Sequence, residues 1–279
     1  MLKKAYLEIT NACNLNCSFC HGTKRPIAYM TEEKFTHAAG KLRKHTEYLY
    51  FHLMGEPLLH PLLGRFLEIA EELDFKVIIT TNGTLLKKRE DILISAGALH
   101  KVSISLHSHE ANAAGMSLDE YLDICLNFCK RAAEGGIITV LRLWNRGGED
   151  KENEYILKAI KERFGDEWKE VYSGYKIKDR IFLEWGERFE WPDEDASLCS
   201  HSHSCYGLRD QVGVLVDGRV VPCCLDAEGA ITLGNIFESE LSDILSSDRA
   251  KALKASFENR SITEPLCTHC GFAAMRFSK

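Results

Sequence analysis

The strongest constraint on the fold is an alternation, from residue 4 to about residue 186, of short apolar runs with longer segments of helical period. This pattern is typical of repeated βα units, in which a helix returns the chain to the next parallel strand by a right-handed crossover. It predicts an α/β fold, a partial (β/α)6 TIM-like barrel that binds ligands at the carboxyl ends of its strands. The predicted strands lie near 4–10, 48–53, 76–81, 101–107, 137–144 and 180–185, and the predicted helices near 31–45, 61–74, 86–96, 118–134 and 152–163.

The βα pattern stops where residues 187–204 become polar, acidic and interrupted by proline. We therefore expect a first domain over residues 1–190 and a small, cysteine-rich α+β domain over 191–279. In the second domain, two apolar runs flank Asp217-Gly218, a dipeptide that suits a hairpin turn because glycine tolerates a positive φ. Two further helices are predicted near 238–246 and 248–258.

The composition limits what the chain is expected to bind. Its 35 Lys and Arg residues against 41 Asp and Glu residues give a formal charge of -6, without the basic surface that binds nucleic acid through its phosphates. Apolar runs such as Val77-Ile78-Ile79 are far shorter than the roughly 20 residues of a membrane-spanning helix. The first residues have the pattern of a strand rather than of a signal peptide. We therefore expect a cytoplasmic protein that binds neither nucleic acid nor membranes.

The eleven cysteines of the chain indicate metal binding or catalysis, because a reducing compartment disfavours disulfides. Cys125 and Cys129 are spaced i, i+4 on a predicted helix, and we assign them to the core because buried cysteine behaves as a small apolar residue. The others form an N-terminal and a C-terminal group, which predicts two separate sites. These groups are Cys13, Cys17 and Cys20, and Cys199, Cys205, Cys223, Cys224, Cys267 and Cys270.

The N-terminal group has the spacing C-x3-C-x2-C and directly follows the first predicted strand. Three thiolates are one fewer than a fully ligated four-iron cluster uses, so one iron would stay open to a ligand. A zinc site that borrows a fourth ligand such as His21 is the alternative. At this position the motif resembles the signature of the radical S-adenosylmethionine (SAM) superfamily. The resemblance implies that Cys13, Cys17 and Cys20 hold a [4Fe-4S] cluster whose open iron binds SAM.

Later strand ends carry further segments that are similar to those of this family. Met54-Gly55-Glu56-Pro57 resembles its Gly-Gly-Glu-Pro segment, with methionine in place of the first glycine, and implies SAM contacts at residues 55–57. The segments around Asn82 and Ser105 are similar to family segments at the ends of strands three and four, and they imply SAM contacts at these two residues.

Strand five adds two candidates. Arg142 lies among apolar neighbours, where arginine is seldom found without an anionic partner. It is either a clamp on the SAM carboxylate or a member of a salt bridge at the base of the barrel. Asn145 is a candidate contact to the adenosyl group.

The C-terminal group pairs Cys205 and Cys223 across a predicted hairpin with the C-x2-C pair Cys267 and Cys270. Four thiolates complete a closed site, which on spacing alone is either a structural zinc site or an iron–sulfur site. The segment resembles the SPASM domain in its shortened twitch form, which implies one auxiliary [4Fe-4S] cluster on these four cysteines. Cys199 is then either a catalytic residue near the substrate or part of a polar linker. Cys224 is expected to be a packed thiol.

The family resemblance implies that the first cluster cleaves SAM to a 5′-deoxyadenosyl radical, which abstracts hydrogen from the substrate. A fully ligated second cluster would accept an electron, so the first hypothesis is an oxidoreductase that acts on a small molecule. The alternative is a maturase of a ribosomal peptide or protein, which is disfavoured because the barrel begins at about residue 4, without a preceding peptide-recognition domain. A third is a non-catalytic zinc or iron–sulfur module. A flavodoxin or ferredoxin is the expected electron donor.

Overall fold

The computed structural model describes residues 1–112 and 115–277. Its strands are β1 (Lys4–Leu7), β2 (Tyr48–Tyr50), β3 (Lys76–Thr81), β4 (Leu99–Ser105), β5 (Ile138–Arg146), β6 (Lys169–Val171), β7 (Gly174–Lys178), β8 (Ile181–Glu187), β9 (Gln211–Val214), β10 (Arg219–Val221) and β11 (Gly234–Asn235). Over the described residues these strands form one sheet in the order β11-β10-β9-β1-β2-β3-β4-β5-β8-β7-β6.

The helices confirm the predicted alternation. They are α1 (Glu32–Arg43), α2 (Leu63–Glu72), α3 (Leu86–Ser95), α4 (Leu118–Glu134), α5 (Asn153–Phe164), α6 (Leu241–Leu245), α7 (Asp248–Glu258), α8 (Pro265–Thr268) and α9 (Gly271–Phe277). Helix α4 begins at a capping residue, because the Ser117 hydroxyl accepts a hydrogen bond from the backbone N–H of Glu120 at 3.2 Å. The two helices predicted in the tail correspond to α6, which is shorter than expected, and α7.

The partial barrel is formed by β1, β2, β3, β4, β5 and β8, which are parallel to one another in that order. Along β5 the side chains alternate between the two faces of the sheet. Thr139, Leu141 and Leu143 are fully buried, whereas Arg142 and Trp144 on the opposite face are half-buried. We call that half-buried face the barrel interior. The predicted α/β class and partial barrel are thus confirmed.

One hairpin of the barrel was not predicted. Between α5 and β8 the chain forms β6 and β7, which extend the sheet as antiparallel edge strands. All three residues of β6 are exposed, so the apolar alternation that marks a half-buried strand is absent there.

The second predicted hairpin is present and continues the sheet of the barrel. Strand β9 pairs in parallel with β1, and β10 pairs antiparallel with β9 through a turn in which Gly218 has φ +90°. The sheet therefore runs across the domain boundary expected near residue 190, and that boundary stays a prediction. None of the helices in residues 1–112 and 115–277 has the length and apolar character of a membrane span.

Candidate active site and cluster sites

The loop that follows β1 carries the N-terminal cysteine group and is fastened at its base. The Thr10 hydroxyl donates to the carbonyl of Ala28 at 2.8 Å, and the Asn11 side-chain amide donates to the carbonyl of Pro26 at 3.0 Å. These two hydrogen bonds join the start of the loop to its end, so the cysteines between them stay at the carboxyl end of β1.

The sulfur atoms of this loop have surroundings that suit metal-bound thiolates. The Asn112 side-chain amide donates to Cys17 Sγ at 2.9 Å, and the backbone N–H of Gly22 donates to Cys20 Sγ at 3.4 Å. Hydrogen bonds of this kind tune iron–sulfur clusters. Burial raises the pKa of Cys13, and it raises the pKa of Cys17 to about 11. A metal held by these thiols would have to displace their protons, which would couple its binding to deprotonation.

The segment after β2 lies directly against this loop. Gly55 has φ +79°, and a Cβ added to it would lie 2.5 Å from the carbonyl oxygen of Thr10 and 2.8 Å from that of Ala12. The backbone N–H of Glu56 donates to the same Ala12 carbonyl at 2.7 Å. Only glycine permits this approach of the two segments without strain.

The Gly55→Ala variant is therefore expected to lose about 3 kcal/mol of unfolding free energy, from left-handed backbone strain and the clash with Thr10 together. Gly136→Ala is the matched control, because Gly136 also has a positive φ, +86°, but no atom lies within 4 Å of the added Cβ. The control should lose about 1 kcal/mol. Anaerobic urea denaturation compares the two, and equal losses would contradict the close approach at Gly55.

Glu56 and Asn82 connect the ends of β2 and β3. The buried Glu56 carboxylate accepts hydrogen bonds from the backbone N–H groups of Leu58 at 3.0 Å and Asn82 at 2.8 Å. Burial raises the pKa of Glu56 to about 7. The Asn82 side-chain amide donates to Asn14 Oδ1 in the cysteine loop at 3.0 Å. The structure thus gathers Gly55, Glu56, Pro57 and Asn82 beside this loop, with the Glu56 side chain engaged internally.

Ser105 and Arg142 lie opposite each other on β4 and β5. The Arg142 guanidinium stacks on Trp144 at 3.6 Å, and its Nε atom lies 3.6 Å from Glu184 Oε2, which is too long for a hydrogen bond. Arg142 Nε and Trp144 Nε1 are both buried without a hydrogen-bond partner. Neither donor is consumed by a tight salt bridge, so both can serve a ligand.

Asn145 does not join this group. Its side-chain amide donates to the carbonyl of Glu149 at 2.8 Å and to Asn153 Oδ1 at 2.9 Å. These bonds order the turn between β5 and α5. The adenosyl contact expected at Asn145 stays a prediction, which these engaged hydrogen bonds do not support.

The C-terminal cysteine group is gathered from the hairpin and the last helices. Cys223 follows β10, and its pKa is raised by burial and then by the nearby charges of Cys224, Cys205, Cys267 and Cys270. Backbone N–H groups donate to two of these sulfur atoms, at 3.4 Å in each case, from Gly207 to Cys205 and from Ala273 to Cys270.

The two remaining cysteines of this group have different surroundings. Cys224 packs against the small cluster formed by Tyr6, Leu53, Leu215 and Val221. Cys199 is exposed, and its backbone N–H donates to the carbonyl of Thr268 at 2.9 Å, beside the C-x2-C pair. Cys125 and Cys129 are fully buried in the core, as predicted.

Within residues 1–112 and 115–277, no three His, Cys, Asp or Glu side chains surround the position of a single metal ion. Thiolates around one zinc ion lie about 3.8 Å apart, given a Zn–S bond of about 2.3 Å. Each thiolate of a four-iron cluster binds a different iron, so its sulfur atoms lie farther apart.

A buried ion pair between Glu8 and Arg25, which was not predicted from the sequence, joins both parts of the site. The Glu8 carboxylate accepts two hydrogen bonds from Arg25, at 2.7 and 2.8 Å, one from the N–H of Met54 at 3.2 Å and one from the N–H of Val216 at 3.0 Å. It thereby links the cysteine loop, the segment after β2 and the C-terminal hairpin. An acidic residue within the apolar run Tyr6-Leu7-Glu8-Ile9 was the available signal.

Comparison with known proteins identifies the class to which this fold and site belong. The radical SAM superfamily profile matches residues 7–166, which is more than half of the chain, so the chain belongs to that superfamily. An iron–sulfur cluster-binding domain of the SPASM type matches residues 205–271. The protein is therefore a radical SAM enzyme with a SPASM domain, and its cofactors are SAM, the SAM-binding [4Fe-4S] cluster and an auxiliary [4Fe-4S] cluster.

The chain is 24% identical over 288 residues to the sporulation killing factor maturation protein SkfB of Bacillus subtilis, an alignment that covers 91% of this chain and 67% of SkfB. The next two curated relatives are each matched over 31% of their length. Streptococcus suis SuiB bound to the precursor peptide SuiA has a similar fold, with TM-score 0.66, 16% identity and coverage of 98% of this chain and 70% of SuiB. BtrN in complex with AdoMet and 2-DOIA also has a similar fold, with TM-score 0.60, 18% identity and coverage of 97% and 93%.

Proposed function

We propose that this enzyme removes a hydrogen atom from its substrate and passes the remaining electron to the auxiliary cluster, so that the product is oxidised. The observation that carries the proposal is the pairing of β9 with β1. This pairing sets the C-terminal cysteine group against the barrel, with Cys224 in contact with Tyr6 of the barrel interior. When bound, the first cluster and SAM supply one-electron cleavage of SAM and hydrogen abstraction. The chain supplies the position of the substrate between the two sites.

The residues that hold the clusters are part of this proposal. Three cysteines in the loop after β1 leave one position of the first cluster for SAM. Four cysteines in the tail close the second cluster, so that it relays an electron without binding the substrate. A flavodoxin or ferredoxin would reduce the first cluster. The proposed ligands are Cys13, Cys17 and Cys20 for the first cluster, and Cys205, Cys223, Cys267 and Cys270 for the second.

Ser105 and Arg142 are the proposed contacts to the SAM carboxylate. The Arg142→Met variant should bind SAM about 10- to 100-fold more weakly, because it loses a charge-assisted hydrogen bond, and Ser105→Ala should bind it about fivefold more weakly. The iron content should not change in either variant. Arg131→Met is the control, because Arg131 lies on the outer side of the fold with half of its side chain exposed. Calorimetric titration with SAM measures the effect, and normal SAM binding by both variants would make the two residues structural.

We propose a precursor peptide or protein as the substrate. The support is the alignment with SkfB over 91% of this chain, since SkfB carries the name of a maturation protein. The fold shared with SuiB, which was solved with its precursor peptide, is compatible with this assignment. The second candidate is a small molecule, favoured by BtrN, whose fold was solved with 2-DOIA and whose chain is covered over 93% of its length.

Product analysis distinguishes the two substrate classes. The reconstituted enzyme is incubated with SAM, a reductant and short peptides encoded beside its gene, and each peptide is examined by mass spectrometry. A peptide that loses hydrogen atoms in step with 5′-deoxyadenosine formation supports the peptide assignment. If the peptides stay unchanged while a metabolite extract yields an oxidised small molecule, the second candidate replaces the first.

A further inference from the structure

The barrel interior carries more positive than negative charge. Lys4 on β1, Lys101 on β4 and Arg142 on β5 are half-buried and face the interior, where Glu184 on β8 lies beside Arg142. The buried Glu8 carboxylate after β1 is already paired with Arg25. The complete chain has a formal charge of -6. The barrel interior, with three cations around one anion, therefore has a net positive charge, whereas the chain as a whole is negative.

The two lysines lack close ionic partners. Lys4 Nζ lies over the rings of Tyr6 and Tyr50, 5.2 Å from each centroid. Within the described residues, the carboxylate ion pairs of this region involve Lys3, Lys76 and Arg142 rather than Lys4 or Lys101. Burial lowers the pKa of both lysines, and the positive charge of Arg142 lowers it further.

A second carboxylate that acts on Lys4 is already paired. Asp210, whose charge raises the pKa of Lys4, forms ion pairs with Lys3 at 3.1 Å and Arg209 at 3.2 Å. Its charge is thus shared among other cations at the surface. Glu184 therefore balances one of the three interior cations, and the interior keeps a net positive charge.

Polar atoms without partners converge on the same space. In the described residues the buried side-chain nitrogen atoms without a hydrogen-bond partner are His52 Nδ1, Arg142 Nε and Trp144 Nε1. Arg142 and Trp144 are in contact, and the charges of Arg142, Lys4 and Lys101 all lower the pKa of His52, which burial brings to about 3. Trp and Arg nitrogens only donate, and a neutral imidazole can donate from Nδ1. Buried donors of this kind are normally satisfied, so the group fits a ligand rich in hydrogen-bond acceptors.

We propose that the barrel interior binds an oxyanion of the substrate, a carboxylate or a phosphate, between Lys4 and Lys101, with His52 and Trp144 donating further hydrogen bonds. This inference rests on the proposed function, because it specifies which substrates that function acts on. In a peptide the group is an aspartate or glutamate side chain, and in a small molecule it is a carboxylate or a phosphate ester. The anion compensates two lysine charges, and it anchors the substrate at a fixed depth below the SAM-binding end of the strands.

The test uses the anaerobic holoenzyme with both clusters, saturated with SAM so that the SAM carboxylate occupies its own site. Three probes are titrated calorimetrically at low ionic strength. They are inorganic phosphate, a tripeptide with blocked ends whose only charge is one aspartate, and the same tripeptide with asparagine. The variants are Lys4→Gln and Lys101→Gln, with Lys101→Arg to restore the charge. Lys158→Gln is the control, because this lysine lies on the exposed side of α5 beside Glu162.

We expect the aspartate tripeptide, phosphate or both to bind to the wild type, and the asparagine tripeptide not to bind. Each glutamine variant should weaken binding by about tenfold or more, while Lys101→Arg restores most of it. Tighter binding of the aspartate tripeptide indicates a peptide carboxylate, and binding of phosphate alone indicates a small-molecule source. Equal affinity for the aspartate and asparagine tripeptides would overturn the proposal. So would an affinity that is unchanged in both Lys4→Gln and Lys101→Gln. Failure of the proposed function is a different result, namely no 5′-deoxyadenosine from the wild-type enzyme.

Discussion

Replacement of Cys13, Cys17 and Cys20 together by alanine should abolish SAM cleavage and leave the auxiliary cluster intact. The physical reason is that the loop supplies every proposed protein ligand of the first cluster, whereas the C-terminal group lies on separate elements. After anaerobic reconstitution the triple variant should retain about four irons, those of the remaining cluster. Chromatographic assay with SAM and a reductant should detect no 5′-deoxyadenosine.

Cys125→Ala is the control for this variant, because Cys125 is fully buried in the core, apart from both cysteine groups. It should keep about eight irons and full SAM cleavage, after allowance for a small loss of stability. Formation of 5′-deoxyadenosine by the triple variant would show that the first cluster is held elsewhere.

The second large effect concerns the adjacent Cys223 and Cys224. Besides burial and its neighbour Cys224, the nearby Cys205, Cys267 and Cys270 raise the pKa of Cys223, whereas Cys224 packs against Tyr6 on the barrel side. Cys223 lies in a bend after β10 and Cys224 in the turn that follows, and because the two sulfur atoms have different neighbours we do not expect one to replace the other as a ligand. Cys223→Ala should therefore lose the auxiliary cluster, about four irons, and Cys224→Ala should keep it.

The Cys223→Ala variant also tests the role of that cluster. SAM cleavage should persist, because it precedes transfer of the substrate electron, while the yield of oxidised product should fall at least about tenfold. Product quantified per 5′-deoxyadenosine gives the ratio directly. An unchanged ratio without the cluster would confine the C-terminal domain to a structural role, and cluster loss in Cys224→Ala instead would reverse the ligand assignment.

The barrel could be predicted because its information is local. Strands such as β3 and β5 combine apolar runs with the period of two, and α4 has both helical period and a capping serine. The edge strands β6 and β7 could not be predicted, because an exposed strand such as Lys169–Val171 needs no apolar face. Their pairing depends on β8, which is a contact that propensity does not encode.

In the candidate site, too, features encoded by local sequence could be predicted, whereas features that depend on distant contacts could not. The cysteine spacing was enough to predict two separate cysteine groups. Gly55 was identified through its sequence segment, and the structure shows that the backbone at this position requires glycine. The Glu8–Arg25 pair was missed because the four hydrogen bonds that Glu8 accepts come from donors on segments that are distant in sequence. Asn145 was selected for its position near the end of the fifth strand, but its orientation depends on Asn153 in the next helix.

The most direct test of the central claim, a radical SAM enzyme with two clusters, is the metal content of the wild-type protein. The anaerobically reconstituted chain is analysed for iron, sulfide and zinc by elemental analysis, with Mössbauer spectroscopy to assign the iron to cluster types. We expect about eight irons per chain, all in [4Fe-4S] clusters, and no stoichiometric zinc. About four irons with one zinc ion per chain would contradict it, because the C-terminal cysteines would then form a structural zinc site that accepts no electron.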